Sequence, residues 1–474
     1  MKALNKDNCP TTIAIIGGGF SGTLVAAHLL RNSTSPLEIK LIERKAFIGR
    51  GVAYGTKYDS HLLNVPAAKM SAFLDDPEHF LRWLKTQPDL EEAVTPNSFA
   101  PRKIYGNYIQ SILNEAEAEA KENVRLHRIK NEAIAIQLEG NGAIVFLSTG
   151  DRIKADKIVL ALGNFPPSDP PIPDRSFYTS LRYISYPWST HALTEIDPQD
   201  PVLLIGSGLT MLDLAVAMTE QGHVGEIHVV SRRGLLAYSH KFTTAYPTFL
   251  TPETAPKNIR ALVRVVRQEV KNAIAAGYDW RAVLDSLRPI TQQLWQQLPL
   301  AEQRRFLRHV RIYWEVHRHR VSPGVADKIT AMLNSKQMVV HAGRIQAYEE
   351  DADGVNVVIR KRHSTEREIV RATRVINCTG TECDYRKFQH PLIQNLRSQG
   401  LIRSDALAIG LDFAPNGALL DVDGVISQIL YTLGPPRQGR LWETTAVPEI
   451  RVQAAELAKE LLKNQKLVKS LTEL

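Results

Sequence analysis

The chain has 474 residues, 44% hydrophobic and 23% charged, a composition that excludes wholesale disorder and fibrous repeats. Its net charge of +8 favours anionic partners (nucleotides, nucleic acid, acidic metabolites or anionic lipid) without choosing among them. Its 3 cysteines exclude a disulfide scaffold and fit a reducing, cytoplasmic setting.

At roughly 100–200 residues per domain, the length predicts about two to four domains. No apolar run approaches the roughly 18 residues of a membrane span. The polar start, Met1 to Thr12, lacks the apolar core of a secretory signal.

The chain opens on a predicted βαβ unit. Ile13 to Ile16 reads as a buried strand, Gly17 to Gly22 as a turn, Thr23 to Arg31 as a helix and Leu37 to Ile42 as the second strand. In Gly17-x-Gly19-x-x-Gly22 the first glycine permits the tight turn. The second lets backbone approach a pyrophosphate, and the third allows close helix–strand packing. The helix N-terminus then offers unpaired N–H groups and a positive dipole end to phosphates. Glu43, 21 positions after Gly22, is placed to accept ribose hydroxyls.

A strand-rich stretch follows from Val124 and closes on an apolar strand ending at Gly163. Proline pairs at Pro166-Pro167 and Pro170-Pro171, and the segment Pro198 to Pro201, read as joints between domains. A second βαβ unit begins at Val202 to Ile205, turns at Gly206-Ser207-Gly208, runs as a helix through Met218 and forms its second strand at Ile227 to Val230. Met211 replaces the third glycine, so this helix is expected to sit farther from its strand. The strand ends in Ser231-Arg232-Arg233. Arginines pair with a 2′-phosphate that a carboxylate would repel, so NADPH is predicted over NADH, at a site of Gly206, Ser207, Gly208, Leu209, Thr210, Ser231, Arg232 and Arg233.

A helical segment runs from about Pro256 to Lys336. One helix carries an apolar face of Ile259, Leu262, Val266, Val270 and Ala273 beside a basic stripe of Arg260, Arg264, Arg267 and Lys271. A second is expected to carry Arg304, Arg308, Arg311 and Arg318. The stripe reads as a solvated face or a cap over an anionic substrate, ahead of a nucleic-acid surface, because aromatic interleaving is missing. Met338 to Gly380 repeats the earlier strand-rich plan, which makes a repeat at domain scale. The chain then returns to the first domain with a strand at Ile429 to Leu433 and a helix from about Val447 to Leu462.

The predicted fold is therefore α/β, with two Rossmann-like dinucleotide-binding domains. Residues 1–175 and 381–474 make the first domain, which the resemblance given below marks as the FAD domain, and 176–380 the NAD(P)H domain with a helical insertion at about 252–336. A pair of dinucleotide sites in one chain suits a resident flavin and an exchanging nicotinamide. Disulfide reductases need a reactive cysteine pair beside the flavin. Here none follows Glu43 until Cys378 and Cys383, which read as structural. No cluster has metal-site spacing, and His317 and His319 alternate.

Several segments carry a family resemblance: Gly49 to Tyr54, His61 to Ser71, Arg102 with Tyr105-Gly106-x-Tyr108, Gly206 to Asp213, and Leu441 to Pro448. In these the chain resembles FAD/NAD(P)-binding flavoproteins neighbouring the class B flavin monooxygenases and amine N-hydroxylases. The resemblance implies FAD held at Gly17, Gly19, Phe20, Ser21 and Gly22, with Glu43 on the adenosine ribose. It also implies flavin contacts at Arg44, Gly51, Gly163, Gly434 and Thr445. Asn64 and Val65 would lie near the isoalloxazine, with Asn64 the candidate catalytic residue. Trp442 to Pro448 would set a helix N-terminus by the flavin's pyrimidine edge, where its dipole stabilises negative charge. Two departures stand out. Gly434-Pro435 replaces a common Gly-Asp, and Phe177 to Tyr183 lacks the Phe-x-Gly-x-x-x-His signature of the Baeyer–Villiger and dimethylaniline subclasses.

The implied function is an NADPH-dependent FAD monooxygenase of N-hydroxylase type. It would act on a small amine or other soft nucleophile, with O2 activated as a flavin C4a-hydroperoxide in a dry pocket. Two alternatives remain: an NAD(P)H:acceptor flavin oxidoreductase without oxygen insertion, and a non-catalytic flavin-binding interaction protein.

Overall fold

The computed structural model describes residues 10–88 and 94–472. Cys9 and most of the polar N-terminal segment discussed above lie outside the described residues. In chain order the first strands are β1 (Thr11–Ile16), β2 (Leu37–Glu43), β3 (Val124–Lys130), β4 (Ala133–Glu139), β5 (Gly142–Leu147), β6 (Arg152–Ala155) and β7 (Lys157–Leu160). Then come β8 (Tyr183–Ile184), β9 (Val202–Ile205), β10 (Ile227–Ser231), β11 (Met338–Glu350), β12 (Val355–Lys361), β13 (Arg367–Ala372) and β14 (Arg374–Asn377). The last are β15 (Ala418–Leu420) and β16 (Ile426–Thr432).

Two sheets organise the chain. A six-stranded sheet has the order β15-β16-β7-β1-β2-β3, and a seven-stranded sheet the order β13-β12-β11-β10-β9-β14-β8. Their centres share one plan. β7, β1, β2 and β3 run parallel side by side, as do β14, β9, β10 and β11. Central parallel strands are covered on both faces, so they read as unbroken apolar runs. Ile13 to Ile16 and Val202 to Ile205 are buried throughout. The two halves differ after the third parallel strand. β3 stops at Lys130 and β4–β6 form a separate small sheet, whereas β11 continues for 13 residues into the antiparallel pair β12–β13.

The first helix spans Phe20–Asn32 and starts inside the predicted turn. Gly19 itself is the N-cap, with φ −73° and ψ −166°. Glycine disfavours helix interiors, which is why the sequence suggested a later start. Tight packing overrides that preference at Gly22, where an added Cβ would stand 1.9 Å from the Gly17 carbonyl oxygen. The matching helix of the second domain, Leu209–Glu220, is capped by Gly208 in the same extended conformation.

The insertion differs from its sequence reading. The helix expected over Arg304 to Arg318 is two helices, Leu300–His309 and Arg311–Arg318. The break lets Phe306 face Trp442 while Trp314 and Arg318 reach Glu443. The last helix of the helical run, Pro323–Asn334, packs Val325, Ile329 and Met332 into the core that holds Leu214 and Met218. It feeds β11 in parallel beside β10. It is thus the crossover helix of the nucleotide fold, and the inserted helices lie before it.

The two chain crossings between domains run together. Asn377 donates to the Ser168 carbonyl at 3.1 Å and the Glu382 amide to that of Pro166 at 3.3 Å, so the proline joint is laced to the returning chain.

Candidate functional site

A cleft opens at the carboxyl edge of β1, where parallel sheets place their ligands. Its lining includes Gly17, Gly19, Phe20, Ser21, Glu43, Arg44, Gly51, Gly163 and Thr445. These come from the first glycine turn, the ends of β2 and β7, and the approach to the last helix, Val447–Thr472. The glycines play different parts. Gly17 has φ +108°, and a Cβ there would meet the Ala161 carbonyl at 2.2 Å, so the fold itself requires it. Gly19 has an ordinary φ, and its nearest contact would be Gly51 Cα at 3.4 Å. The protein could hold a side chain at Gly19 in ordinary contact with its neighbours.

Glu43 is buried and already ordered. Its Oε2 accepts the Gly18 amide at 2.8 Å and its Oε1 the Lys45 amide at 2.9 Å, and each carboxylate oxygen keeps a further lone pair for a ribose hydroxyl. At the same end Glu132 Oε1 joins Arg44 at 3.3 Å and His390 at 3.0 Å.

The second turn repeats the logic. Gly206 has φ +102°, and a Cβ there would meet the Cys378 carbonyl at 2.6 Å, whereas nothing lies within 4 Å of one on Gly208. Ser207 Oγ lies 2.9 Å from Ser231 Oγ and donates to the Leu235 carbonyl at 2.7 Å, and the Gly234 amide donates to Ser231. These bonds tie the turn to the loop that carries the two arginines. Arg232 is exposed. Arg233 places its guanidinium carbon 4.8 Å from the ring centre of Tyr313, on the insertion. Leu209 and Thr210 form the first turn of the helix.

Residues 14–165 match a family described as FAD-NAD(P)-binding. Over nearly its whole length the chain shares its fold with solved enzymes. The ornithine N-hydroxylase of Kutzneria sp. 744, in a complex with reduced FAD, NADP+ and L-ornithine, is 13% identical with a TM-score of 0.62, covering 97% of this chain and 100% of that one. The L-lysine 6-monooxygenase of Pseudomonas syringae is 15% identical with a TM-score of 0.63, covering 96% and 100%. The bacillithiol disulfide reductase of Bacillus cereus is 13% identical with a TM-score of 0.55, covering 96% and 100%. Comparison with curated proteins finds no match.

Other expected site residues sit outside the cleft lining. Gly22 is buried beneath the turn. Gly434, with φ +73°, lies behind Ser21 and donates its amide to Gln453 at 2.8 Å, while its neighbour Pro435 reaches the cleft. Asn64 is half-buried, and Val65 packs against the first domain's core. Trp442 departs most from expectation. It is buried against Trp295 and Phe306, ring centres 5.1 and 5.0 Å away, and so fastens the insertion to the first domain. Its backbone takes φ +60° just past a short helix, and it does not line the cleft.

The cleft also includes Arg50, Tyr54, Asn131, Glu132, Phe165 and His390. Arg50 and Tyr54 belong to a segment that carried the family resemblance. Asn131 and Glu132 follow β3, and the carboxyl-edge rule alone points to them. A separate groove of about 640 Å³ beside Arg386, Arg397 and Arg403 touches neither glycine turn. Burial raises the thiol pKa of Cys378 and Cys383, the condition of inert cysteines, and neither lines the cleft. Among the described residues no helix is long and apolar enough to cross a membrane, and no group of three or more His, Cys, Asp or Glu could hold a metal ion.

Proposed function

We propose that the chain is an NADPH-dependent FAD oxidoreductase, specifically a monooxygenase of N-hydroxylase type acting on a small amine or other soft nucleophile. The observation that carries this reading is the paired glycine turns. Gly19 and Gly208 are both glycine where the protein has no need of one, so each turn reserves space for a nucleotide backbone. A bound flavin would supply hydride acceptance and oxygen activation.

The chain's own residues would do the rest. Gly17 to Ser21 and the amides of the first helix hold the FAD pyrophosphate, with Glu43 on the ribose. Arg232 and Arg233 take the 2′-phosphate of NADPH. The N-terminus of Val447–Thr472, behind Thr445, favours negative charge at the flavin's polar edge. Asn64 is retained as the candidate polar group toward the reacting ring. The FAD- and NADP-bearing ornithine N-hydroxylase and the lysine monooxygenase support oxygen insertion. Absence of a thiol among the described cleft residues disfavours the disulfide-reductase alternative.

The test begins with anaerobic addition of NADPH to the purified flavoprotein. Bleaching of the flavin is expected, with NADH much less effective. Air and a panel of small amines should then yield hydroxylated product in proportion to NADPH consumed. Rapid turnover with artificial acceptors and no oxygenated product would move the reading to an acceptor reductase. No bleaching at all would leave a non-catalytic flavin protein.

A further inference from the structure

Three polar residues that the proposed chemistry does not use converge on one face of a small ladder. Ser239 and Val321 form a parallel bridge, closed by the His240 amide on the Val321 carbonyl at 2.7 Å and the Val321 amide on that of Tyr238 at 3.0 Å. Side chains alternate across such a ladder. Val321 turns into the core of the second domain. The alternation therefore places His240, Arg320 and Ser322 together on the opposite face.

Arg320, Ser322 and the Nδ1 atom of His240 are buried and underused. Arg320 is 4% exposed and Ser322 2% exposed. Arg320 spends Nη2 on Asp285, yet its Nε and Nη1 are buried without an acceptor among the described residues. Ser322 Oγ and His240 Nδ1 are likewise buried and unpartnered. Buried donors are seldom left unmatched, because each costs its full desolvation. Ser322 is also the N-cap of the 12-residue helix Pro323–Asn334, but its hydroxyl caps nothing. At the second helical position Gly324 has open space where a Cβ would be. A helix N-terminus, a free hydroxyl and two free guanidinium nitrogens form a donor set matched to an oxyanion.

The location is also informative. This helix begins at the carboxyl edge of β10, the same edge that carries the Gly206 turn. Phe99, from the first domain, sets its ring 5.4 Å from that of His240. Lys69, in the segment after Asn64 and Val65, is exposed and adds positive charge near His240. The face thus looks across the domain seam toward the loop expected beside the flavin ring. Burial first, then Arg320, with Asp285 opposing and Lys69 and Arg281 adding, hold the His240 pKa at about 4. Its imidazole is neutral at neutral pH and can donate or accept at Nδ1.

We infer that His240, Arg320, Ser322 and the N-terminus of Pro323–Asn334 bind an oxyanion carried by the substrate, a carboxylate or a phosphate group, which orients its nucleophilic end toward the flavin domain. This rests on the oxidoreductase reading for its purpose, but the binding can be tested without turnover.

The experiment uses the full-length, flavin-loaded protein. Calorimetric titrations employ inorganic phosphate and propionate, with chloride at equal ionic strength and neutral propionamide as controls. Saturable binding of at least one oxyanion is expected, with neither control binding. Phosphate alone would identify a phosphorylated substrate, propionate alone a carboxylate, and both the shared chemistry with affinity ranking the two. Ser322→Ala should weaken binding by about tenfold or more, as expected for losing a hydrogen bond to a charged group. Arg320→Met should abolish it. Should that variant fail to fold with Asp285 unpaired, Ser322→Ala and His240→Phe leave that ion pair intact and decide the matter. No oxyanion binding, or unchanged binding in Ser322→Ala, overturns the inference. Flavin reduction by NADPH is followed in the same preparations. Normal reduction without oxyanion binding removes this inference alone. Binding without reduction removes the oxidoreductase reading and leaves the site standing.

Discussion

Gly17, Gly19 and Gly22 look alike in the sequence and differ in what the fold asks of them. Gly22→Ala drives a methyl to within 1.9 Å of a backbone oxygen. Such overpacking typically costs about 1–3 kcal/mol or more, so its melting temperature should fall whether or not flavin is present. Gly19→Ala meets nothing closer than 3.4 Å and keeps an allowed φ. Its apoprotein should melt like the wild type while flavin content, read from the absorbance ratio, drops strongly. Full flavin occupancy in Gly19→Ala would show that the dinucleotide backbone does not approach this turn.

At the scale of elements, the insertion is joined to both nucleotide halves. Trp442 anchors it to the first domain and Tyr313 meets Arg233 of the second. Trp442→Ala removes a buried indole, a loss of about 3–5 kcal/mol. Protease cleavage within 259–318 should accelerate, while flavin content stays near wild type because Trp442 does not line the cleft. Flavin loss without faster cleavage would instead return Trp442 to the cofactor. On the second domain, an arginine-to-phosphate bond of the proposed kind would contribute about 1.5–3 kcal/mol, or roughly 10- to 150-fold in affinity. Replacing Arg232 and Arg233 with Gln should therefore raise the apparent KM for NADPH far more than for NADH, with kcat little changed. Equal loss of both coenzymes would place the specificity elsewhere.

The whole molecule is held across its seam by a buried ion pair. Arg102, at the start of helix Arg102–Ala118, lies 2.8 Å from Asp213 on helix Leu209–Glu220, and it also donates to the Leu62 carbonyl at 2.9 Å. Removing one partner of a buried pair typically costs about 3–5 kcal/mol. Arg102→Met should thus lower stability sharply, and adding Asp213→Asn should recover part of it. Nearby His61 is almost fully buried, and burial, then Arg102, lowers its pKa to about 4. Its contribution to stability is present above the unfolded value of 6.5 and is lost as pH falls toward about 4. Burial raises Asp213 to about 6 against the pull of Arg102, so its contribution is present below 3.8 and is lost as pH rises through about 6. The two slopes oppose each other in the same window. Urea unfolding between about pH 7 and 5 should show a shallower acid loss in His61→Gln, by up to about 1.4 kcal/mol per pH unit for one proton. An unchanged slope would mean that His61 is protonated alike in folded and unfolded chains.

The chain's own order of residues determined the two βαβ units, their glycine turns and the domain-scale repeat. Each of those features is local: buried parallel strands are continuous apolar runs, and a tight turn needs its glycine within a few positions. Tertiary structure alone separated Gly19 from Gly17, because the difference lies in Ala161 and Gly51 rather than in the turn. It also split the basic helix at Val310 and assigned Pro323–Asn334 to the nucleotide fold. It turned Trp442 onto Trp295 and set His240 beside Arg320. Those outcomes depend on groups brought together across 32 to 147 positions of chain, where no local spacing records the contact and only tertiary packing decides it.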